Sequence, residues 1–496
     1  ESSVGGGIFA LYNNVHLEDL RIHSNTAHTG GGAFIYSSDF SEEDLVMKNV
    51  TFDDNTALDD AGSSALVWQI SNQTLLVRDC YFSSNESTNA YQAQNVASIF
   101  GGNAVLAMNA TAFSGNGGAL ELYGGGDGSD FTIKNSTFNG SQTATNGGGL
   151  ALKGKYSALI DSSNFTSNET YNFGGGALKI ENEGIVSISN CSFSDNQVDG
   201  AEGGAISITK EGSNQSDIGP VVTISNSTFT GNTAQKAGAI YVEDGDLTLT
   251  DVTLTSNSSS YGGGGLRTRY ATLSLTDVIF DQNSANSGPG GGLFLDGLGS
   301  DSDPVVVQNC SFTGNFAASD GSAINSAGQN LTIDGSIFSN NVTEGGGAIA
   351  SVIVGFTMTN TLMHDNSGAD GGAIMCNASN TTITNCTIVG NNDTQLSGLN
   401  SSGILVHTGN TSFTILNSII WDNVINFDDY DGGTLNISYS DIEGGESGIL
   451  LSDNNTGTLN WGEANFDVDP LFCDINEGDY TLYGNSPLLG SGLDDE

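Results

Sequence analysis

Apolar and polar residues alternate along this chain in short runs. Leu178/Ile180, Ile240/Val242 and Leu293/Leu295 each hold one residue between two apolar ones. A two-residue period sends alternate side chains to opposite faces, so these runs read as strands with one buried face. No stretch sustains the 3.6-residue apolar period of an amphipathic helix, which removes the helical solenoids.

The runs sit inside a recurring phrase. A short apolar strand leads to Asn or Asp, a small residue, Ser or Thr, an aromatic or aliphatic residue, two polar residues and Asn; a variable gap then ends in Gly-Gly-Ala-Ile or a near copy. Residues 221–240 contain one copy: Val222 and Ile224, Asn226-Ser227-Thr228-Phe229-Thr230-Gly231-Asn232, then Ala237-Gly238-Ala239-Ile240. The closing Asn falls at 25, 55, 85, 116, 168, 196, 232, 257, 283, 315, 341, 366, 391 and 423, with Ser141 in one further copy. About 25 residues with two or three short strands separated by bends make one coil of a β-helix, whereas a propeller blade needs four strands in about 40 residues. The expected fold is therefore all-β: a three-faced right-handed parallel β-helix solenoid of about fifteen coils.

Each phrase residue then acquires a physical task. Phe52, Phe82, Phe138, Phe193, Phe229, Phe280, Phe312 and Phe338 are expected to stack inside, each contributing about 1.5–3 kcal/mol on burial. The recurring Asn, at Asn196, Asn232, Asn257, Asn283, Asn315, Asn341, Asn366 and Asn391 among others, is expected to form an amide ladder between coils. It is also expected to take the left-handed backbone of a sharp corner, with the glycines supplying positive φ at a second corner.

Cysteine use follows from the same register. Cys80, Cys191, Cys310 and Cys386 stand two residues before the inward aromatic or aliphatic residue, where other coils put Val50, Ser136, Ser227 or Thr361. A small inward slot in non-adjacent coils predicts buried, unpaired thiols rather than disulfides.

Composition narrows the partners. The chain has 496 residues, 69 of them Gly and 5 Pro, without the Gly-X-Y period of collagen. Acidic residues number 57 against 11 basic ones, a net charge of −46. Such a charge repels nucleic acid and anionic membranes, disfavours polyanionic substrates and suits a solvated surface in a divalent-rich medium. No apolar run approaches the ~18 residues that span a bilayer, so no transmembrane segment is expected.

Long insertions cluster between the glycine-phrase strand and the next strand, at 37–44, 124–130, 210–220 and 297–304. They carry Asp39, Glu42, Glu43, Asp44, Asp127, Asp130, Asp217, Asp301 and Asp303. Oxygen-rich loops suit calcium, and Asp127, Asp130, Asp301 and Asp303 are the candidate ligands of a weak structural site; solvated turns are the simpler reading. No other cofactor is expected.

Two resemblances follow from these motifs. The paired F-x-x-N and G-G-A-I phrases over residues 1–425 resemble the repeats of chlamydial polymorphic membrane proteins, which are autotransporter adhesins; the membrane barrel of that family has no counterpart here. From 426 to 496 the texture changes. Ser438-Tyr439-Ser440-Asp441-Ile442, Asp469-Pro470-Leu471-Phe472, Gly478-Asp479-Tyr480-Thr481-Leu482 and Ser486-Pro487, with Asn417-Ser418-Ile419-Ile420-Trp421 before them, resemble the choice-of-anchor end of bacterial surface β-helix proteins. This region is expected to supply terminal coils and a cap in which Trp421, Trp461, Phe466 and Phe472 close the last coil.

The β-helix also houses pectate lyases and polygalacturonases, so this fold admits catalysis. A lyase needs a base beside clustered acids. Only Arg267 and Arg269 form an arginine pair, separated by inward Thr268. His16, His23, His28, His364 and His407 lack ligand spacing, and outward acids are too numerous to single out a glycosidase pair. The sequence therefore predicts a secreted, extracellular or cell-surface structural or adhesive protein and no enzyme. Expected partners are host or environmental glycans or surfaces, and further copies of the chain meeting head to tail or laterally as a filament. The glycine phrase Gly5-Gly6-Gly7-Ile8 enters mid-coil, which adds the expectation that further protein covers that end. The alternative is a carbohydrate-active enzyme, a polysaccharide lyase or glycosidase, or a glycan-binding module. An outer cleft lined by aromatics and close carboxylates would favour it.

Overall fold

The computed structural model describes all residues except 1–3, 12–14, 38–43, 59–62, 88–94, 145–146, 173, 211–218, 298–303, 353–354, 378–379, 394–402, 408, 410 and 494–496, and the side chains of 87, 127 and 393. The chain divides into two compact units, 1–259 and 260–496. Each is a right-handed parallel β-solenoid; about fifteen coils are present, and the described residues include no α-helix.

In the first unit a coil contains three laddered strands and a fourth of two residues. Leu178–Glu181, Ile206–Thr209 and Ile240–Glu243 pair in parallel, with Leu178, Ile206 and Ile240 in register. Glu183–Ser189, Val221–Thr230 and Asp246–Thr255 form the next line. Ser192–Ser194 pairs with the later part of Val221–Thr230. Thr233–Ala234 and Ser258–Ser259 supply the short fourth line, so the coil has one more face than the sequence suggested.

Two left-handed residues bend each coil around its three-residue strand. The opening Asn or Asp of the phrase is one: φ is 54° at Asn190, 46° at Asn226 and 53° at Asp251. The second is not the closing Asn, as the sequence predicted, but the residue before it: Asp195 at 55°, Gly231 at 67° and Ser256 at 54°. The closing Asn turns inward and is fully buried. The residue preceding it absorbs the turn: Asp195 and Ser256 keep a short polar side chain in solvent, and Gly231 has no Cβ to resist positive φ. The glycine phrase makes a further corner at Gly203, φ 71°. Gly204 answers to space instead: an added Cβ would lie 2.1 Å from the Gly238 carbonyl oxygen.

Inside, aromatic rings stack at the strand repeat. Phe52, Phe82, Phe113, Phe138, Phe165, Phe193 and Phe229 follow one another with centroids 4.6–5.0 Å apart. This is the spacing of hydrogen-bonded strands, so the backbone ladder sets the stacking distance. In the second unit Phe280, Phe312 and Phe338 stack likewise, and Met363, Ile388 and Ile420 continue that column in register.

The slot two residues before the ring is a second polar ladder. Ser227 Oγ donates to the Ser225 carbonyl at 2.7 Å and accepts the Cys191 N–H at 3.1 Å. Ser336 Oγ does the same for the Asp334 carbonyl and the Cys310 N–H. Cys80, Cys191, Cys310 and Cys386 occupy this slot, buried and unpaired, with each Sγ 3.1–3.2 Å from the carbonyl two residues back. Burial pushes the Cys191 and Cys310 thiols up to about 11 and Cys386 up to about 12.

The second unit keeps this plan beyond residue 425. Ile425–Phe427 pairs with Ile404–His407, and Thr434–Ser438 pairs with Ser412–Leu416. Thr458–Trp461 adds one more parallel strand. The break in architecture comes later, where Phe472–Asp474 and Asp479–Leu482 form an antiparallel pair.

Candidate functional site

That antiparallel pair does not close the last coil. It folds back along the flank of the second unit and walls a cleft of about 610 Å³ against the coils. Local chemistry fixes its shape. Asp469 Oδ1 accepts the Leu471 N–H at 2.9 Å, and Asp474 Oδ1 accepts the Asn476 N–H at 3.2 Å at the start of a short 3-10 turn. Gly478, φ 75°, ends that turn. Ser486 Oγ donates to the Pro470 carbonyl at 2.7 Å and ties the two arms.

The coils supply the floor. His364, Val389 and Trp421 are in register on three successive strands. The next residue of each coil, Asp365, Gly390 or Asp422, is a left-handed corner and turns outward. Val389, Trp421, Asp365, Gly390, Asp422 and Glu443 thus line one side of the cleft. Asp469, Leu471, Phe472, Ile475, Asn476, Tyr480 and Tyr483 line the other. None of these is Lys, Arg or His.

Tyr480 pins the pair to the coils. Its ring lies 4.8 Å from the His364 ring and edge-on to Phe472 at 5.6 Å. Its hydroxyl donates to Asp365 Oδ2 at 3.4 Å, and His364 Nδ1 lies 2.8 Å from the same oxygen. Burial, reinforced by Asp365, pushes the Tyr480 phenol up to about 12. Glu443 Oε2 accepts the Asp422 N–H at 2.7 Å. Next to Glu443, Asp441 is buried, and burial with Asp467, Asp469 and Glu443 nearby pushes its carboxyl up to about 6. Asp441 Oδ1 accepts the Val468 N–H at 3.1 Å, whereas Oδ2 has no partner.

The asparagines singled out from sequence lie elsewhere, in the core. Asn196, Asn232 and Asn257 form a continuous amide column in the first unit. In the second, Asn283, Asn315, Asn341, Asn366 and Asn391 do the same. These residues hold coils together and expose nothing to a ligand.

Of the four calcium candidates, only Asp130 has its side chain among the described residues. Asp130 is exposed in the long strand Ala119–Lys134, whose pairing with the next coil shifts register between Gly125 and Asp130. Asp301, Asp303 and the side chain of Asp127 lie outside the described residues, as do Asp39, Glu42, Glu43 and Asp217. Among the described residues no group of three or more His, Cys, Asp or Glu side chains is placed to hold a metal ion. Arg267 pairs with Asp296 and sits 4.7 Å over the Phe294 ring, while Arg269 lies over Tyr270 at 5.1 Å. Thr268 between them is buried.

Sequence reasoning missed the cleft because a later hairpin, whose Tyr480 reaches back 115 residues to Asp365, builds one wall. One signal was present: Trp421 is a large aromatic in a line where other coils put Ser194, Thr230, Thr313, Ser339, His364 and Val389.

Comparison with known proteins fits this architecture. A family model described as right handed beta helix region matches residues 66–234, 204–351 and 301–465. No curated protein matches the chain. No described helix is long and apolar enough to cross a membrane.

Proposed function

This chain belongs to the right-handed β-helix family, and we propose that it acts as an extracellular structural or adhesive surface protein that binds saccharide in the flank cleft. The observation that carries this reading is the lining of the cleft. Trp421, Phe472, Tyr480 and Tyr483 offer apolar faces to sugar rings, and Asp422, Glu443 and Asp469 offer acceptors to sugar hydroxyls. The coils act as a rigid stand: their ladders are internal, so the outer faces are left for contact. A glycan array probed with the full chain tests the reading. Binding should appear for a defined set of glycans and should be lost in Trp421→Ala with the fold intact. An array without binding overturns it.

The same carboxylates favour a second reading, a glycosidase acting in this cleft. Reducing ends released from a bound polysaccharide, and abolished in Asp422→Asn or Glu443→Gln, would support it over adhesion. A lyase is disfavoured, because none of the described lining residues is basic and the arginine pair is engaged with Asp296, Phe294 and Tyr270.

A further inference from the structure

We propose that the cleft selects an ammonium-bearing saccharide, a chain of glucosamine-type units, over neutral or anionic sugars; this rests on the saccharide-binding reading above. Four carboxylates line the cleft, Asp365, Asp422, Glu443 and Asp469, and among the described residues no basic side chain lines it with them. Asp365 is shared between His364 and Tyr480. Of the other three, Glu443 Oε2 accepts the Asp422 N–H and Asp469 Oδ1 accepts the Leu471 N–H. Each carboxylate has room for about four hydrogen bonds, so one amide leaves most of its capacity unused. No ion pair engages Asp422, Glu443 or Asp469 among the described residues.

A neutral sugar would fill these acceptors with hydroxyls but leave the negative charge uncompensated. A protonated amine does both. Aromatic walls add to the preference, because a cation within about 6 Å of a ring face is attracted by its quadrupole. The volume, about 610 Å³, suits a small oligosaccharide. Polyanions are repelled both here and by the chain as a whole.

The test compares two oligomers of one backbone, a glucosamine tetramer and its fully N-acetylated counterpart, by titration calorimetry with the full chain near pH 5.5. The amine form should bind at least about tenfold tighter, a gap typical of one added charge-assisted contact. Asp422→Asn with Glu443→Gln should bring the two forms within about threefold. Both changes keep side-chain size, and Asn tolerates the left-handed backbone of position 422. Thermal unfolding of the double variant checks that it folds; should it fail to, Asp469→Asn alone replaces it. Equal binding of both oligomers overturns the ammonium preference and leaves saccharide binding standing. Binding of neither overturns both. An unchanged preference in the double variant assigns the effect to the overall charge of −46 and overturns the proposal. So does oligolysine competing at equal affinity.

Discussion

Asn196 Nδ2 donates to Asn232 Oδ1 at 2.9 Å, and that same oxygen accepts the Asn196 backbone N–H at 3.0 Å. Asn232 in turn gives one Nδ2 proton to Asn257 Oδ1 and the other to the Phe193 carbonyl, each within 3.0 Å. One side chain therefore serves three coils, fully buried and fully satisfied. Asn232→Ala strands the Asn196 donors and the Phe193 carbonyl at once. It should cost about 3–5 kcal/mol in urea unfolding, because each orphaned buried group costs about 1–3 kcal/mol. The exposed corner residue Asn226, changed to Gly, should cost under about 1 kcal/mol.

Ser141 interrupts this column. Its N–H reaches Asn168 Oδ1 at 3.2 Å, but its buried hydroxyl has no partner. Ser141→Asn would place an amide between Asn116 and Asn168 and complete the ladder. Stabilisation of about 1 kcal/mol is expected, read as a higher urea midpoint. A loss of stability would mean that this coil is too tight for the longer side chain.

How much of this was legible depends on range. The Phe and Asn columns recur at one register in most coils, so a single chain repeats its own structural information, and inward Phe229 could be read from its phrase alone. The corner was misplaced by one residue, because Asp195 and Asn196 are both polar and only the pairing of coils distinguishes the inward one. The four-sided coil was hidden because Thr233–Ala234 is too short to show a period. Of the cleft, Trp421 and Phe472 were read as closing the last coil, while its opposite wall depends on Tyr480 reaching Asp365, 115 residues away. No local pattern encodes such a contact.

Phe229 stacks on Phe193 with centroids 4.7 Å apart and planes within 1°. Its neighbour on the other side is Leu254, in register. Phe229→Ala opens a cavity between two rigid layers that cannot collapse, because the backbone ladder fixes their separation. It should cost about 3–5 kcal/mol, whereas outward Thr228→Ala should cost under about 0.5 kcal/mol. Comparable losses would show the strand to be flipped.

Thiol labelling separates buried from accessible cysteines. Cys80, Cys191, Cys310, Cys376 and Cys386 are buried and Cys473 is half-exposed, all unpaired. Burial raises the five inner thiols, Cys376 and Cys386 up to about 12. At pH 8 an alkylating reagent should modify native protein at Cys473 and reach all six after unfolding without reductant. Fewer than six labels on the unfolded chain would reveal a disulfide.

Asp441 should make stability fall as pH rises. Burial raises its folded carboxyl up to about 6, above the ordinary carboxylate range of the unfolded chain. Below about pH 4 the group is protonated in both states and contributes nothing. Between about 4 and 6 the unfolded chain releases its proton while the folded one keeps it, so stability falls; above about 6 the penalty is constant, about 2–3 kcal/mol. Asp161 and Asp334 act in the opposite sense, held low by Asn190 with Ser189 and by Thr359 with Asn360. The wild-type profile therefore mixes both signs, and the difference from Asp441→Asn isolates one. That variant keeps the oxygen that accepts the Val468 N–H and removes the charge facing Asp467, Asp469 and Glu443. It should match wild type near pH 4 and exceed it by about 2–3 kcal/mol at pH 7. A constant difference across this range would mean that Asp441 titrates normally and that solvent reaches it.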